Sequence, residues 1–265
     1  MTAHPQAKKN SRISRAIGAA PIAREILEFF FACGCAVMEG YGMTETTGVG
    51  TTNTRAEHRF GSVGRPLPGV EIRIAEEDGE ILMRGPNIFR GYWRNDEATA
   101  EVLDSEGWMH TGDLGTVDDG GYLFITGRKK DIIITAGGKN LAPANVENDL
   151  KQTRWISQAV MYGDRRPYPV ALITLDPEEI VHFAKEHGLS DDPAALAQDP
   201  KVHELIQGIL DEANQKYAQV EQVKKFVILD HDLSQETGEL TPTLKVKRNV
   251  VNEKYADLFD ALYAG

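Results

Sequence analysis

The spacing of apolar residues divides the chain into two parts. Up to about residue 127 the pattern predicts short β-strands: apolar and polar residues alternate over Glu71–Ile74, and a turn at Gly79 leads into the stretch Glu80–Arg84. Glycines and prolines separate these stretches. Beyond that point, apolar residues recur at helical spacing over longer segments, which predicts helices combined with a few strands. The sequence therefore predicts a β-rich first part and an α+β second part.

One helix is predicted near the start of the first part. Pro21 begins it and Gly34 ends it, and its apolar face consists of Ile22, Ile26, Phe29 and Phe30. A short strand, Cys35–Glu39, follows it. The next stretch, residues 40–48, is rich in glycine and in threonine hydroxyls. Two interpretations stay open, a solvated loop or a loop whose amides and hydroxyls hold phosphate oxygens.

The second part combines strands with capped helices. Strands are predicted at Gln158–Tyr162, Val170–Leu175 and Lys225–Leu229. A short helix is marked by Val146 and Leu150, and two further helices have start signals in Asp176-Pro177 with Glu179, and in Asp199-Pro200. The longer of these carries an apolar stripe: Val202, Leu205, Ile206, Ile209, Ala213 and Tyr217. A closing helix is indicated by Val250, Val251, Leu258, Phe259 and Leu262.

A dense basic stretch lies where the two patterns meet. An alternating strand, 121–126, leads into Gly127-Arg128-Lys129-Lys130-Asp131, and an apolar run then ends at Gly137 and Gly138. The change of pattern predicts a hinge at 127–131 between two domains, 1–127 and 128–265. The alternative is a surface turn with solvated charges.

A second group of cations follows the extended segment around Pro242. Lys245, Lys247 and Arg248 lie at the start of the closing helix, where the helix dipole favours anions instead. Local stability does not explain these cations. An anionic ligand, or contact with acidic residues elsewhere in the protein, explains them better.

Composition narrows the possible functions. The chain has 29 Lys and Arg against 40 Asp and Glu, and its net charge of −11 argues against non-specific nucleic-acid binding. Its two cysteines, Cys33 and Cys35, are too few for a disulfide framework and are predicted to be small core residues. With no apolar run of membrane-spanning length and no leader sequence, we expect a cytoplasmic protein with at most peripheral membrane contact.

The stretch 108–113 contains two residues that are candidates for chemistry. Asp113, beside Gly112, either caps a turn or presents two carboxylate oxygens to neighbouring hydroxyls such as those of a ribose. His110 is interpreted as a packing residue, because nothing nearby in sequence would orient it.

Together these stretches resemble the AMP-forming acyl-CoA synthetases of the adenylate-forming superfamily. The resemblance runs from about Arg15 to the C-terminus and rests on motifs in the family's order: 18–21, 40–45, 80–86 with 91–93, 108–113, 127–131, 137–139 and Lys245. The phrase 163–168 and the helical insert 176–217 resemble the long-chain fatty-acid branch. The implied fold is the β-rich tail of a large adenylation domain followed by a small mobile α+β domain.

The resemblance also implies a role for each matched residue. Thr44 would contact phosphate, Glu45 would bind Mg²⁺, and Lys245 would be the catalytic lysine. The nucleotide would be held by Gly18, Ala19, Pro21, Tyr41, Gly42, Thr44, Asp113 and Arg128. Lys130 would be the pivot of a domain rotation that brings Gly137, Gly138 and Lys139 to the CoA side. The implied cofactors and substrates are ATP or AMP, Mg²⁺, CoA and a fatty acid.

The sequence departs from the family in two respects. Thr243-Leu244 replace the commoner Ser-Gly before the lysine, and the Ser/Thr/Gly-rich phosphate loop is absent. We therefore expect the C-terminal half of a ligase (a fragment, a split-gene product or a degenerate frame) that has little activity alone and exposes apolar surface within residues 15–127. A complementing N-terminal half or a second copy is a possible partner.

Two other functions stay open. One is a non-catalytic module that binds AMP or CoA. The other is a fatty acyl-AMP ligase, which would carry an insertion before the hinge. We see none between Asp113 and Arg128, and the intact 137–139 turn favours CoA as the acceptor.

Overall fold

The chain folds into two compact units that combine sheets and helices. The computed structural model describes residues 14–17 and 24–264. The units are Met1–Lys129 and Lys130–Gly265. The mixture of sheets and helices confirms the predicted α/β and α+β fold class. Among the described helices, none is long and apolar enough to cross a membrane.

The first unit contains two four-stranded sheets. Its elements are β1 (Ser14–Ile17), α1 (Arg24–Ala32), β2 (Ala36–Met43), β3 (Gly48–Thr52), β4 (Arg65–Pro66), β5 (Glu71–Ile74), β6 (Glu80–Arg84), α2 (Asp96–Val102), β7 (Met109–Val117) and β8 (Leu123–Arg128). One sheet has the order β1-β2-β3-β4 and the other the order β5-β6-β7-β8. Strands β1 and β2 are parallel, and α1 connects them. The second sheet is an antiparallel meander.

The interior of the first unit is small. Its core cluster consists of Ile81, Met83, Met109 and Leu123, which lie on β6, β7 and β8. On α1, Leu27 is buried, whereas Ile26, Phe29 and Phe30 are 46%, 63% and 37% exposed. The apolar surface expected within residues 15–127 is therefore present.

Within its described residues, the second unit contains one three-stranded sheet, six helices and a small two-stranded hairpin. Its elements are β9 (Ile133–Ile134), β10 (Asn140–Leu141), α3 (Pro143–Lys151), β11 (Ile156–Tyr162), β12 (Val170–Leu175), α4 (Glu179–His187), α5 (Pro193–Gln198), α6 (Pro200–Asn214), β13 (Lys225–Ile228), α7 (Arg248–Lys254) and α8 (Ala256–Tyr263). The sheet order is β11-β12-β13, antiparallel and then parallel.

Strand β12 lies at the centre of the second unit, buried on both faces. Ala171 and Ile173 face a large cluster that includes residues of α3, α4 and α6. Val170 and Leu172 face a second cluster with residues of α7 and α8. Successive side chains of this continuous apolar strand therefore point alternately into the two clusters.

Several predicted boundaries are wrong for local reasons. Strand β2 continues to Met43, because residues 40–43 pair with β3 instead of forming a loop. The stretch from Met109 is strand β7, so Asp113 does not cap a turn. The closing helix is two helices, because Tyr255 leaves helical geometry between them.

The start signals of the helices were partly correct. Asp199 caps α6 through its contact with the Lys201 amide, as predicted. Asp176 accepts bonds from the amides of Glu178 and Glu179, but its own amide donates to the Trp155 carbonyl, so the reciprocal bond of a capping box is not formed.

The core assignment of the cysteines is wrong. Cys33 is exposed and Cys35 half-buried. Both lie beside Gly34, whose φ of +79° ends α1, so they belong to the turn after the helix and not to its buried face.

Candidate functional site

Asp113 is the centre of a polar cluster in the first unit. Strands β7 and β8 pair so that Asp113 lies opposite Arg128. Arg128 donates through Nε to Asp113 Oδ1 at 2.9 Å, and the Tyr41 hydroxyl donates to Oδ2 at 2.5 Å. The Asp113 side chain is 8% exposed and that of Arg128 67%. A buried carboxylate thus lies beneath an accessible guanidinium.

The Asp113 carboxylate keeps acceptor capacity for a ligand. An ionised carboxylate has about four lone-pair sites, and Tyr41 and Arg128 each use one. Burial, and then the negative charge of Asp113, raise the pKa of Tyr41, so its hydroxyl stays protonated and remains a donor. Both carboxylate oxygens can therefore accept a further hydroxyl proton each, which suits a vicinal diol.

The residues after Tyr41 form a structured edge. Thr44–Thr46 is a short 3₁₀-helix, and the buried Thr46 hydroxyl donates to the carbonyls of Met43 and Gly48. Thr44 is exposed beside an open cavity of about 590 Å³ whose lining includes Gly40, Gly42, Met43, Thr44 and Thr47. A Cβ on Gly42 would lie 1.8 Å from the Gly48 carbonyl oxygen, so β3 itself requires this glycine.

Glu45 is held by a motif distant in sequence. The Tyr92 hydroxyl donates to Glu45 Oε1 at 2.8 Å, and the Phe89 amide donates to the Glu45 carbonyl at 2.8 Å. Within the described part of the chain, no group of three or more His, Cys, Asp or Glu side chains could hold a metal. One carboxylate still fits Mg²⁺ that arrives with nucleotide phosphates, because such sites commonly use one or two carboxylates.

The hinge motif ends the first unit with a pair of salt bridges that the sequence did not reveal. Lys129 contacts Asp78 at 2.6 Å and Glu80 at 3.1 Å. Glu80 also accepts from the Gly112 amide and contacts His110 Nδ1 at 3.1 Å, so His110 is oriented after all, by a residue thirty positions earlier. Burial raises the pKa of Glu80, but these partners outweigh burial and lower it. Lys130 is exposed.

In the second unit, residues 137–139 form the tip of the β9–β10 hairpin. Gly138 has a φ of +74°, and the Thr135 amide donates to the Lys139 carbonyl at 3.0 Å. Gly137, Gly138 and Lys139 are all exposed. The positive φ explains why glycine occupies the tip.

Lys245 lies on an exposed loop of the second unit. Among the described residues, its ammonium group has no hydrogen bond or ion pair. The preceding residue, Leu244, has a φ of +59° and is 63% exposed. This left-handed conformation favours glycine, the residue commoner at this position in the family that the motif resembles. Leu244 thus adopts the left-handed backbone conformation that glycine usually adopts.

The structure brings together Tyr41, Asp113 and Arg128, and separately Glu45 with the 89–92 segment. Gly18, Ala19 and Pro21 lie outside the described residues. Lys130, the 137–139 turn and Lys245 belong to the second unit. The pairing of Tyr41 with Asp113 across 72 positions has no local signal in the sequence.

Models of two known families match the two units of the chain. The model of the AMP-binding enzyme family matches residues 1–93, and that of the AMP-binding enzyme C-terminal domain matches residues 130–265. The chain belongs to the AMP-binding enzyme family.

Curated relatives carry names of fatty-acid ligases. Long-chain-fatty-acid–CoA ligase FadD15 of Mycobacterium bovis is 45% identical over 248 residues, which cover 93% of this chain and 41% of the relative. Long-chain-fatty-acid–CoA ligase ACSBG2 of Gallus gallus is 37% identical over 93% of this chain and 35% of its own length. The chain spans about two-fifths of the length of these relatives.

A solved structure supports the same fold. O-succinylbenzoate coenzyme A synthetase from Bacillus subtilis in complex with AMP has a TM-score of 0.69 and 27% identity. The match covers 89% of this chain and 45% of the synthetase.

Proposed function

We propose that this chain supplies the ribose contact, the hinge and the catalytic lysine of a long-chain fatty acid–CoA ligase that forms AMP. The observation that carries the proposal is the buried Asp113 carboxylate, held by Tyr41 and Arg128 with acceptor capacity left on both oxygens. The names of the relatives support fatty acid and CoA as substrates.

In the first half-reaction, a fatty-acid carboxylate oxygen attacks the α-phosphorus of ATP, and pyrophosphate leaves. Both reactants are anionic, so a cation between them lowers the barrier. Lys245 has this role, and its free ammonium group is available for it. Asp113 accepts both ribose hydroxyls, Arg128 donates to the same sugar, and Thr44 contacts phosphate. Glu45, positioned by Tyr92, would hold a Mg²⁺ ion, and this ion would supply positive charge that neutralises the phosphates.

In the second half-reaction, the CoA thiol loses its proton and attacks the acyl carbonyl, and AMP leaves. Lys245 must withdraw first, and a rotation about Lys130 within the 127–131 hinge moves the second domain. The exposed 137–139 turn then reaches the site, where glycines leave room for pantetheine. The proposed domains remain 1–127 and 128–265.

Further parts of the proposal concern the context of the chain. Ligase activity requires the portion of the relatives that this chain does not span, and a complementing N-terminal half supplies it. A second copy of the chain is the alternative partner, through association without that portion. The location is cytoplasmic. We expect the purified chain to release little or no AMP from ATP, CoA and fatty acid. Full turnover by the chain alone would contradict this part of the proposal.

Calorimetry with AMP and with 2′,3′-dideoxy-AMP tests the ribose contact. Hydrogen bonds to a charged group contribute about 1.5–3 kcal/mol, so we expect the chain to prefer AMP by about tenfold or more. Asp113→Asn should remove most of this preference, while Asp119→Asn, an exposed carboxylate on the same hairpin, should keep it. Equal affinity of the unmodified chain for both nucleotides, or no AMP binding, would contradict the proposal.

A further inference from the structure

The segment that carries Lys245, residues 239–248, is closed at its base and open at its tip. The Lys247 amide donates to the Glu239 carbonyl at 2.7 Å, and Leu240 and Val246 form an antiparallel bridge. Nearer the tip, the Thr241 amide donates to the Lys245 carbonyl at 2.8 Å. We call this segment the lysine hairpin. Its two ends, Glu239 and Arg248, are the places where it joins the rest of the second unit.

The first end is fixed by a buried carboxylate. Glu239 is 0% exposed, and its Oε1 accepts from Lys254 Nζ at 2.5 Å and from the Tyr255 hydroxyl at 2.9 Å. The Thr237 hydroxyl donates to the other oxygen. Burial alone raises the pKa of Glu239, but these donors outweigh burial and lower it to about 2. The base of the lysine hairpin therefore contains a carboxylate that is ionised at neutral pH.

The second end is fixed by a closed ring of polar contacts. Arg248 donates through one terminal nitrogen to both oxygens of Glu147, at 2.7 and 2.8 Å. Its other terminal nitrogen donates to the Met161 carbonyl at 2.9 Å, while the Met161 amide donates to Glu147 at 2.7 Å. Asp131, the residue after the proposed pivot, lies 4.0 Å from Arg248 Nε. The ring thus joins the lysine hairpin to α3, β11 and the hinge motif.

The three cations of the lysine hairpin, Lys245, Lys247 and Arg248, differ in whether their charged groups have a partner. Arg248 is paired with Glu147. This pair is the contact with acidic residues that was one of the two explanations left open by the sequence. Within the described residues, Lys245 and Lys247 have no hydrogen bond or ion pair from their ammonium groups. The lysine hairpin therefore has charged, largely buried anchors at both ends and, among the described residues, two lysines without ammonium contacts between them, Lys245 and Lys247.

Buried charged contacts of this kind stabilise a fold less effectively than apolar packing often does. A buried ion pair must offset a large desolvation cost, and apolar residues of similar size often stabilise a protein as well or better. What a hydrogen-bonded pair adds is one defined geometry, because other positions leave a buried charge without partners. The lysine hairpin has such a hydrogen-bonded charged contact at each of its two ends, Glu239 and Arg248.

We propose that Glu147 and Glu239 are positioning residues for Lys245, Glu147 through Arg248 and Glu239 through the base of the lysine hairpin. The proposal rests on the proposed function, which gives Lys245 its catalytic role. Neither glutamate touches a reactant. Each restricts where the ammonium group can lie relative to the second unit.

Amide hydrogen exchange of the whole chain tests the proposal without requiring activity. The variants are Glu147→Gln and Glu239→Gln, with Asp149→Asn as the matched control. Asp149 lies on the same helix as Glu147 and accepts from the Tyr217 hydroxyl at 2.8 Å, but it does not contact the lysine hairpin. We expect exchange of the Thr241, Lys245 and Lys247 amides to accelerate by about tenfold or more in both glutamate variants and to stay nearly independent of low urea concentrations, which marks local opening of the hairpin. The amides of β12 exchange through global unfolding, so they accelerate only as far as the variant lowers the stability of the second unit.

A purely structural role would act only through global unfolding, so the hairpin amides would then show the same exchange rates and the same urea dependence as those of β12. That result, or unchanged exchange in the hairpin, would overturn the proposal. If a glutamate variant fails to fold, Arg248→Lys and Lys254→Met replace it. Arg248→Lys keeps the charge but cannot bridge two oxygens and a carbonyl, so we expect an intermediate acceleration. Loss of the ribose preference described above would refute the proposed function and leave this exchange result intact.

Discussion

The two units differ in how completely each encloses its own apolar residues. Among the described residues, the core cluster of the first unit has four members, whereas β12 separates two clusters of twenty and nine in the second. The first unit also exposes Phe29 at 63% and Trp93 at 86%. The proposed nucleotide contacts thus lie on a unit with a small core, and the proposed catalytic lysine lies on a unit with a larger one. We therefore expect the second unit to dominate stability and the first to dominate association.

The largest expected effect concerns the interior of the second unit. Phe259 is 0% exposed and stacks on Tyr162 with ring centroids 4.4 Å apart. Phe259→Ala should lower the free energy of unfolding of this unit by about 3–5 kcal/mol, because it removes a large buried ring and leaves a cavity. Urea unfolding followed by circular dichroism measures the change. Leu258→Ala, at a residue 38% exposed, should lower the free energy of unfolding much less. Equal losses from the two substitutions would contradict the view that the enclosed core of the second unit dominates its stability.

The next effect is a pH dependence of the second unit. The pKa of Glu239 is lowered from 4.5 to about 2, so its stabilisation is complete above about pH 4.5 and is lost as the pH falls through about 2. The linked contribution is on the order of 3 kcal/mol, because one pKa unit corresponds to about 1.4 kcal/mol. Glu239→Gln should flatten the stability curve between these pH values. Glu236→Gln, at an exposed neighbour, should not, and an unchanged curve for Glu239→Gln would contradict the assignment.

A smaller effect is expected at the surface of the first unit. Phe29 and Phe30 are neighbouring exposed rings on α1, and apolar patches of this kind promote association. Phe29→Ser should weaken self-association of the chain by about tenfold, as measured by sedimentation equilibrium, since roughly 1–2 kcal/mol of apolar burial is lost. Val220→Ser, at a residue 50% exposed in the second unit, serves as the control. A larger effect from Val220 would reverse the comparison.

The smallest effect concerns the loop of Lys245. Leu244 has a φ of +59°, which costs a residue with a side chain about 1–2 kcal/mol. Glycine avoids this strain but loses more chain entropy on folding, by about 0.5–1 kcal/mol. Leu244→Gly should therefore raise the free energy of unfolding by up to about 1 kcal/mol. Thr243→Gly, beside it, should bring no gain, and a stabilisation by both would point to another cause.

Prediction from sequence succeeded where local patterns decide the structure. Strand β12 follows from its apolar run, and α6 follows from the cap at Asp199 and the stripe behind it. Helix α2 was missed because it has no buried residue and therefore no apolar period. Residues 40–43 were taken for a loop because glycine disfavours strands, but pairing with β3 outweighs that preference.

The candidate site was only partly accessible to the same reasoning. Family motifs indicated Tyr41, Asp113 and Arg128, and the register of β7 and β8 explains why two of them meet. The bonds from His110 and Lys129 to Glu80 join residues 30 and 49 positions apart, so no local pattern reveals them. Such long-range contacts can be recognised only once the pairing and register of the strands are known.

The ring that fixes Arg248 also has a consequence for the order of folding. Glu147 and Arg248 are separated by 101 positions, so their contact closes a long loop and carries the entropic cost of doing so. Glu147 is synthesised about a hundred residues before Arg248, so its carboxylate must wait for a partner that is made later. Lys245, three residues before Arg248, therefore takes its final place only after this long loop has closed.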